Sequence, residues 1–113
     1  MKIFLFEPDN GIQTALSLVL EDECKAEVTC IGNEYDALAI LRNYMFDAAI
    51  IDYYFETEIT EKIIPLAKKS AKKVYLMTTK KKLNNQYRVN GVFFKPFKDI
   101  ENILKEISNV LLT

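Results

Sequence analysis

The chain has 113 residues, half of them hydrophobic and 27% charged, with a formal net charge of −1. That is the size and mixture of one globular domain, 1–113, able to bury about two-thirds of its unfolded surface in a single core. It excludes collagen-like and disordered classes, and the near-neutral balance gives no general electrostatic case for nucleic acid or membranes.

The first element is Ile3-Phe4-Leu5-Phe6, a continuous apolar run closed by Glu7-Pro8-Asp9-Asn10-Gly11. This is the pattern of a strand buried on both faces, then a turn. No charged region followed by a long apolar stretch precedes it, and no run approaches membrane-spanning length, so a cytoplasmic location is expected. Ile12, Ala15, Leu16, Val19 and Leu20 follow at helical spacing, with Asp9 or Asn10 placed to cap. The run from Ala26 to Ile31 alternates, as an edge strand does, and ends at Gly32-Asn33. Cys24 and Cys30 lack CxxC spacing, and with no histidine in the chain no zinc or catalytic constellation can be completed. They read as small core or surface residues in a reducing compartment. From Asn33, a cap, Tyr35, Leu38, Leu41 and Tyr44 stripe a second helix.

The third unit is Phe46 to Asp52 followed by Ile59, Ile63, Ile64 and Leu66. Pro65 falls inside that helix, where an interior proline costs about 3 kcal/mol, so the helix is expected to start late or bend. Val74 to Met77 is a fourth strand. Lys80 to Val89 contains Asn84-Asn85 and predicts a short or frayed fourth helix. Gly91 to Phe94 is a fifth strand, and Ile100, Ile103, Leu104, Ile107, Val110 and Leu111 trace a final helix capped by Asp99. Lysines cluster at Lys68-Lys69, Lys72-Lys73 and Lys80-Lys81-Lys82, which read as solvated faces before a docking patch for an acidic partner.

Strand and helix alternate five times with short connections, which predicts a doubly wound α/β domain with a parallel sheet covered on both faces. Right-handed crossovers bring the strand ends to one side. Glu7, Asp52, Thr78 and Lys95 therefore share one rim, where open α/β sheets place their chemistry.

Taken in order, these rim residues resemble the receiver domain of two-component response regulators, the chemotaxis-regulator-like domain of bacterial signalling. Glu7 follows the first strand, Asp52 ends the third, Thr78 ends the fourth, and Lys95-Pro96-Phe97 follows the fifth. The spacing from Glu7 to Asp52, the Gly91 that opens the fifth strand and Tyr35-Asp36-Ala37-Leu38 at the second helix also resemble the family. The resemblance spans essentially the whole chain. It implies a flavodoxin-like five-stranded sheet of order 2-1-3-4-5, with Asp52 taking a phosphoryl group from a sensor histidine kinase or phosphotransfer protein. Lys95 would neutralise phosphoryl oxygens, Thr78 would close on the modified aspartate, and a downstream protein would read the changed surface. Magnesium would be held by Glu7, Asp52 and the Tyr54 backbone carbonyl, with Asp9 joining if its loop is displaced. No direct nucleic-acid or membrane binding is implied, and the chain is compatible with a homodimer.

The chain also departs from the family. Pro8 stands where a second acidic residue usually meets the metal, and proline has no side-chain ligand atom. Val92 occupies a switch position that is often aromatic. Tyr53-Tyr54-Phe55 lacks the usual proline and glycine, and 78–91 is shortened. These departures suit a second reading, a pseudo-receiver that works as an interaction module without phosphate. A flavodoxin-like electron carrier is opposed by Glu7-Pro8-Asp9, which would repel a flavin phosphate. A magnesium-dependent phosphohydrolase is opposed by Tyr53-Tyr54, where a second carboxylate would be needed. On either leading reading the protein is not an enzyme beyond its own phosphorylation and dephosphorylation.

Overall fold

The apolar runs become the strands of one parallel sheet. The computed structural model describes residues 1–53, 58–78 and 88–94. In chain order the elements are β1 (Lys2–Phe6), α1 (Asn10–Cys24), β2 (Glu27–Ile31), α2 (Glu34–Asn43), β3 (Phe46–Asp52), α3 (Glu58–Ser70), β4 (Ala71–Thr78) and β5 (Gly91–Phe94). The five strands lie in the order β2-β1-β3-β4-β5, all parallel, as expected for a flavodoxin-like sheet. The expected fourth helix over 80–89 and the final helix over 100–111 fall outside the described residues, save Arg88 and Val89, which are not helical.

Each sheet face builds its own core layer. Ile3, Leu5, Ala48, Ile50, Tyr75 and Met77 meet Leu16, Leu20 and Cys24 of α1. Phe4, Phe6, Ala49, Ile51, Val74 and Leu76 meet α2 and α3 through Leu38, Leu41, Ile63, Ile64 and Ala67. Successive strand residues alternate between the layers, so the central strands must be apolar at every position. β2 lies at one end of the strand order, and its side chains are only partly buried or exposed.

The helix starts follow the sequence. Asp9 caps α1, its Oδ1 accepting from the Ile12 N–H at 2.9 Å. Asn33 caps α2 by accepting from the N–H groups of Tyr35 and Asp36. Each such cap is worth about 1 kcal/mol. The buried stripe of α2 differs from expectation: it is Ala37, Leu38 and Leu41, whereas Tyr35 and Tyr44 are 69% and 62% exposed. Tyr35 lies about 200° round the helix from Ala37 at 3.6 residues per turn, and Tyr44 is already extended, with φ −135° and ψ 152°. α3 runs from Glu58 to Ser70 with Pro65 inside it. The helix therefore does not start late, and Pro65 lies exposed on its solvent side. β4 begins at Ala71, directly after α3 and earlier than the apolar run from Val74 suggested. Ser70 ties this junction down by donating from Oγ to the Leu41 carbonyl of α2.

Asp47 anchors the N-terminal strand. Its Oδ2 accepts from the Lys2 N–H at 2.7 Å, and Lys72 Nζ lies 3.6 Å from its Oδ1. The Lys2 N–H, and secondarily Lys72 and the N-terminal ammonium, hold its pKa below the ordinary carboxylate value. A depressed folded pKa gives stability that is present above the unfolded value of about 3.9 and lost as pH falls through the lower folded value. Asp47→Asn should therefore lower the thermal midpoint near neutral pH and leave a shallower loss below about pH 4, measured by melting across a pH series.

Tyr75 carries the opposite kind of polar group. It is 1% exposed, and burial raises its pKa. Its hydroxyl is buried and has no hydrogen-bond partner among the described residues. Its ring stacks at 5.9 Å on Phe93 and covers Gly91, where an added Cβ would meet Tyr75 Cδ1 at 3.1 Å. An unsatisfied buried hydroxyl costs on the order of 1–3 kcal/mol. Tyr75→Phe keeps the ring and removes the group, so it should stabilise the fold by about 1 kcal/mol. A rise in the urea midpoint at unchanged slope checks this.

Both cysteines are free, Cys24 buried and Cys30 half-buried. Burial pushes the Cys30 thiol up, against a weaker lowering by Ser17, as suits an unreactive structural cysteine.

Candidate functional site

Strand ends converge on the C-terminal edge of the sheet. Phe6 of β1 pairs with Ile51 of β3, so the next residues, Glu7 and Asp52, stand side by side where β1 ends and β3 makes its last step. Neighbouring positions on adjacent strands are about 4.8 Å apart. The Glu7 backbone is fixed from two sides: its N–H donates to the Ile31 carbonyl of β2 at 3.0 Å, and its carbonyl accepts from Gln13 Nε2 of α1 at 3.0 Å. Alternation sets both side chains on the α1 face, because Ile3 and Leu5 of β1 and Ala48 and Ile50 of β3 belong to that layer.

Glu7 is 1% exposed and Asp52 5%. Two enclosed carboxylates on neighbouring strands repel one another, so such a pair holds together only with donors or cations around it. Both residues do make further polar or electrostatic interactions. The sequence placed the two acids at one rim; the register makes them neighbours.

Thr78 ends β4 and is fully buried. β3 and β4 pair Asp52 with Met77, so Thr78 stands one step further along the rim than Asp52. Its parity is that of Val74 and Leu76, on the α2 and α3 face, and it too is engaged in a further interaction. Phe94 lies level with Thr78 at the end of β5. Lys95, the next residue, and Tyr54 lie outside the described residues. Val92 is half-buried against the α2 and α3 layer, and Phe94 is 52% exposed.

The remaining carboxylate of the loop does another job. Asp9 is exposed and caps α1, and Pro8 beside it is exposed as well. Among the described residues no group of three or more acidic, histidine or cysteine side chains is gathered as for a metal ion. The described donors at the rim are thus two hard carboxylates, Glu7 and Asp52.

Tyr53 has a larger part than its sequence position suggests. It is 2% exposed, its N–H donates to the Met77 carbonyl at 2.7 Å, and its hydroxyl donates to Glu61 Oε1 of α3 at 3.2 Å. The residue after Asp52 is therefore packed in the core and tied to a helix. No local pattern announces a pairing of residues 53 and 61, since it depends on where α3 starts.

No protein-family model matches the chain, and no curated protein matches it in sequence. Solved structures do match in shape. A CheY-like response regulator receiver domain protein from Methanospirillum hungatei JF-1 superposes with TM-score 0.75 at 22% identity, over 97% of this chain and 92% of that one. The non-phosphorylated HemR receiver domain from Leptospira biflexa gives 0.78 at 20% identity, over 99% and 94%. The receiver domain of the sensor histidine kinase PA1611 from Pseudomonas aeruginosa PAO1, which has a magnesium ion coordinated in its active-site cleft, gives 0.73 at 19% identity, over 97% and 93%. The chain has the fold of CheY-like response-regulator receiver domains.

Proposed function

We propose that the protein is a response-regulator receiver in which Asp52 accepts a phosphoryl group from a phosphohistidine on a sensor histidine kinase or phosphotransfer protein. The observation that carries this reading is the pair of enclosed, adjacent carboxylates, Glu7 and Asp52, at the C-terminal edge of a receiver-fold sheet. A carboxylate oxygen of Asp52 attacks phosphorus, the P–N bond breaks, and the departing imidazole keeps its electron pair and takes a proton. The product is an acyl phosphate. Water later cleaves it, returning the carboxylate and inorganic phosphate, so the chain turns over nothing beyond its own modification.

In this reading Lys95, following β5, supplies the compact cation that opposes the growing phosphoryl charge, and the Thr78 hydroxyl donates to a phosphoryl oxygen. The described donor set meets magnesium's lower requirement of one or two carboxylates, with the Tyr54 carbonyl proposed as a further ligand and Asp9 left as the α1 cap. Bound there, magnesium would neutralise charge on the phosphoryl oxygens. The added charge of about −1.5 to −2 changes a surface that a downstream protein reads. The protein would work in the cytoplasm, and no described helix is long and apolar enough to cross a membrane.

A pseudo-receiver that works without phosphate is favoured by one observation: Pro8 replaces an acidic residue while Asp9 is held as a helix cap. Incubation with a small-molecule phosphodonor separates the two. Intact mass should rise by one phosphoryl group with magnesium present and much less with a chelator. An unchanged mass under both conditions would favour the pseudo-receiver.

A further inference from the structure

We propose that the groove between α2 and α3 is a docking surface for an acidic, amphipathic segment of a partner protein. The groove has a volume of about 310 Å3 and is lined by Leu38, Arg42, Lys62, Pro65, Leu66 and Lys69, with Glu61 at one side. Leu38 and Leu66 form an apolar floor, buried and half-buried, while Arg42, Lys62, Pro65 and Lys69 are exposed around it. An apolar floor under a cationic rim is what a short helix or strand with leucine-like anchors and carboxylates would fill.

Charge is segregated along these two helices. Residues 37–43 of α2 and 62–70 of α3 carry Arg42, Lys62, Lys68 and Lys69 and no acid, although the whole chain has a net charge of −1. The helix dipole accounts for cations in a last turn, such as Lys68 and Lys69. It does not account for Arg42 and Lys69 sharing one groove, where like charges repel and no described residue pairs with either. Glu61, the acid beside them, is engaged at 3.2 Å by the Tyr53 hydroxyl. The complementary ligand is therefore anionic and apolar on one side. The apolar floor favours a peptide over nucleic acid, which would call for a wider cationic track and stacking aromatics.

The test is an NMR titration of the 15N-labelled full chain with a synthetic amphipathic peptide bearing leucines on one face and glutamates on the other. Saturable shifts are expected at the amides of Arg42, Lys62, Leu66 and Lys69. The double variant Arg42→Glu, Lys69→Glu should bind at least about tenfold more weakly while the rest of its spectrum is unchanged. Three controls accompany it: the same peptide with lysine for glutamate, a glutamate peptide without leucines, and a single-stranded oligonucleotide. All three should bind at least about tenfold more weakly than the amphipathic acid. No saturable shift, shifts outside the groove, equal response to any control, or unchanged affinity in the double variant would overturn the proposal.

Discussion

Replacing Pro8 with aspartate is expected to tighten magnesium binding at the rim by at least about tenfold. Magnesium takes six hard ligands in near-ideal octahedral geometry, and each protein carboxylate that replaces a water adds charge attraction to a site already enclosed. At present the described rim supplies Glu7 and Asp52, and the next acid, Asp9, is occupied with the Ile12 N–H. The variant should also lose stability without metal. Removing proline frees the unfolded chain by about 0.4–1 kcal/mol, and a third carboxylate adds repulsion to an existing pair. Adding magnesium should then raise its thermal midpoint more than it raises that of the wild type, since a ligand stabilises by RT ln(1 + [L]/Kd). Calorimetric titration gives the affinity directly. Equal magnesium affinity in the two proteins would mean that position 8 does not face the ion.

Ile50→Ala is expected to remove about 3–4 kcal/mol of folding stability. Ile50 is fully buried near the middle of the central strand β3, two residues before Asp52, in the layer with Leu5, Leu16, Tyr75 and Met77. Truncation loses the transfer energy of the side chain and leaves a cavity that a parallel sheet fixed on both sides cannot collapse into. Against a total of about 5–15 kcal/mol for a domain of this kind, that is a large share. The urea midpoint should fall with the slope unchanged. A loss below about 1 kcal/mol would mean that β3 is less tightly held than its burial indicates. That would weaken the case for a fixed Asp52.

The sheet was legible because strands buried on both faces must be apolar without interruption, and Ile3 to Phe6, Ala48 to Ile51 and Val74 to Met77 are. The starts of α1 and α2 were legible for a local reason, as Asp9 and Asn33 are short acceptors one residue before those helices, whereas α3 starts at Glu58, earlier than Pro65 suggested. Tyr35 and Tyr44 were misplaced because an aromatic at helical spacing reads as core while the neighbouring Ala37 takes the buried position with less volume. The start of β4 was hidden by Lys72 and Lys73, whose charges do not prevent the backbone from pairing with β3. At the rim, the acids could be placed at strand ends from sequence, but that they are neighbours follows from the pairing of Phe6 with Ile51. The Tyr53–Glu61 bond had no sequence signal, being a tertiary contact between the residue after β3 and α3.

The phosphoacceptor assignment is tested most directly by chemistry on the modified residue. The phosphodonor-treated chain is reduced with borohydride, which converts an aspartyl phosphate to homoserine, and then digested and sequenced by mass spectrometry. Homoserine at position 52 in the wild type, and at no position in Asp52→Asn, is the predicted result. Homoserine at another aspartate, or none under conditions that phosphorylate a control receiver, would contradict the assignment.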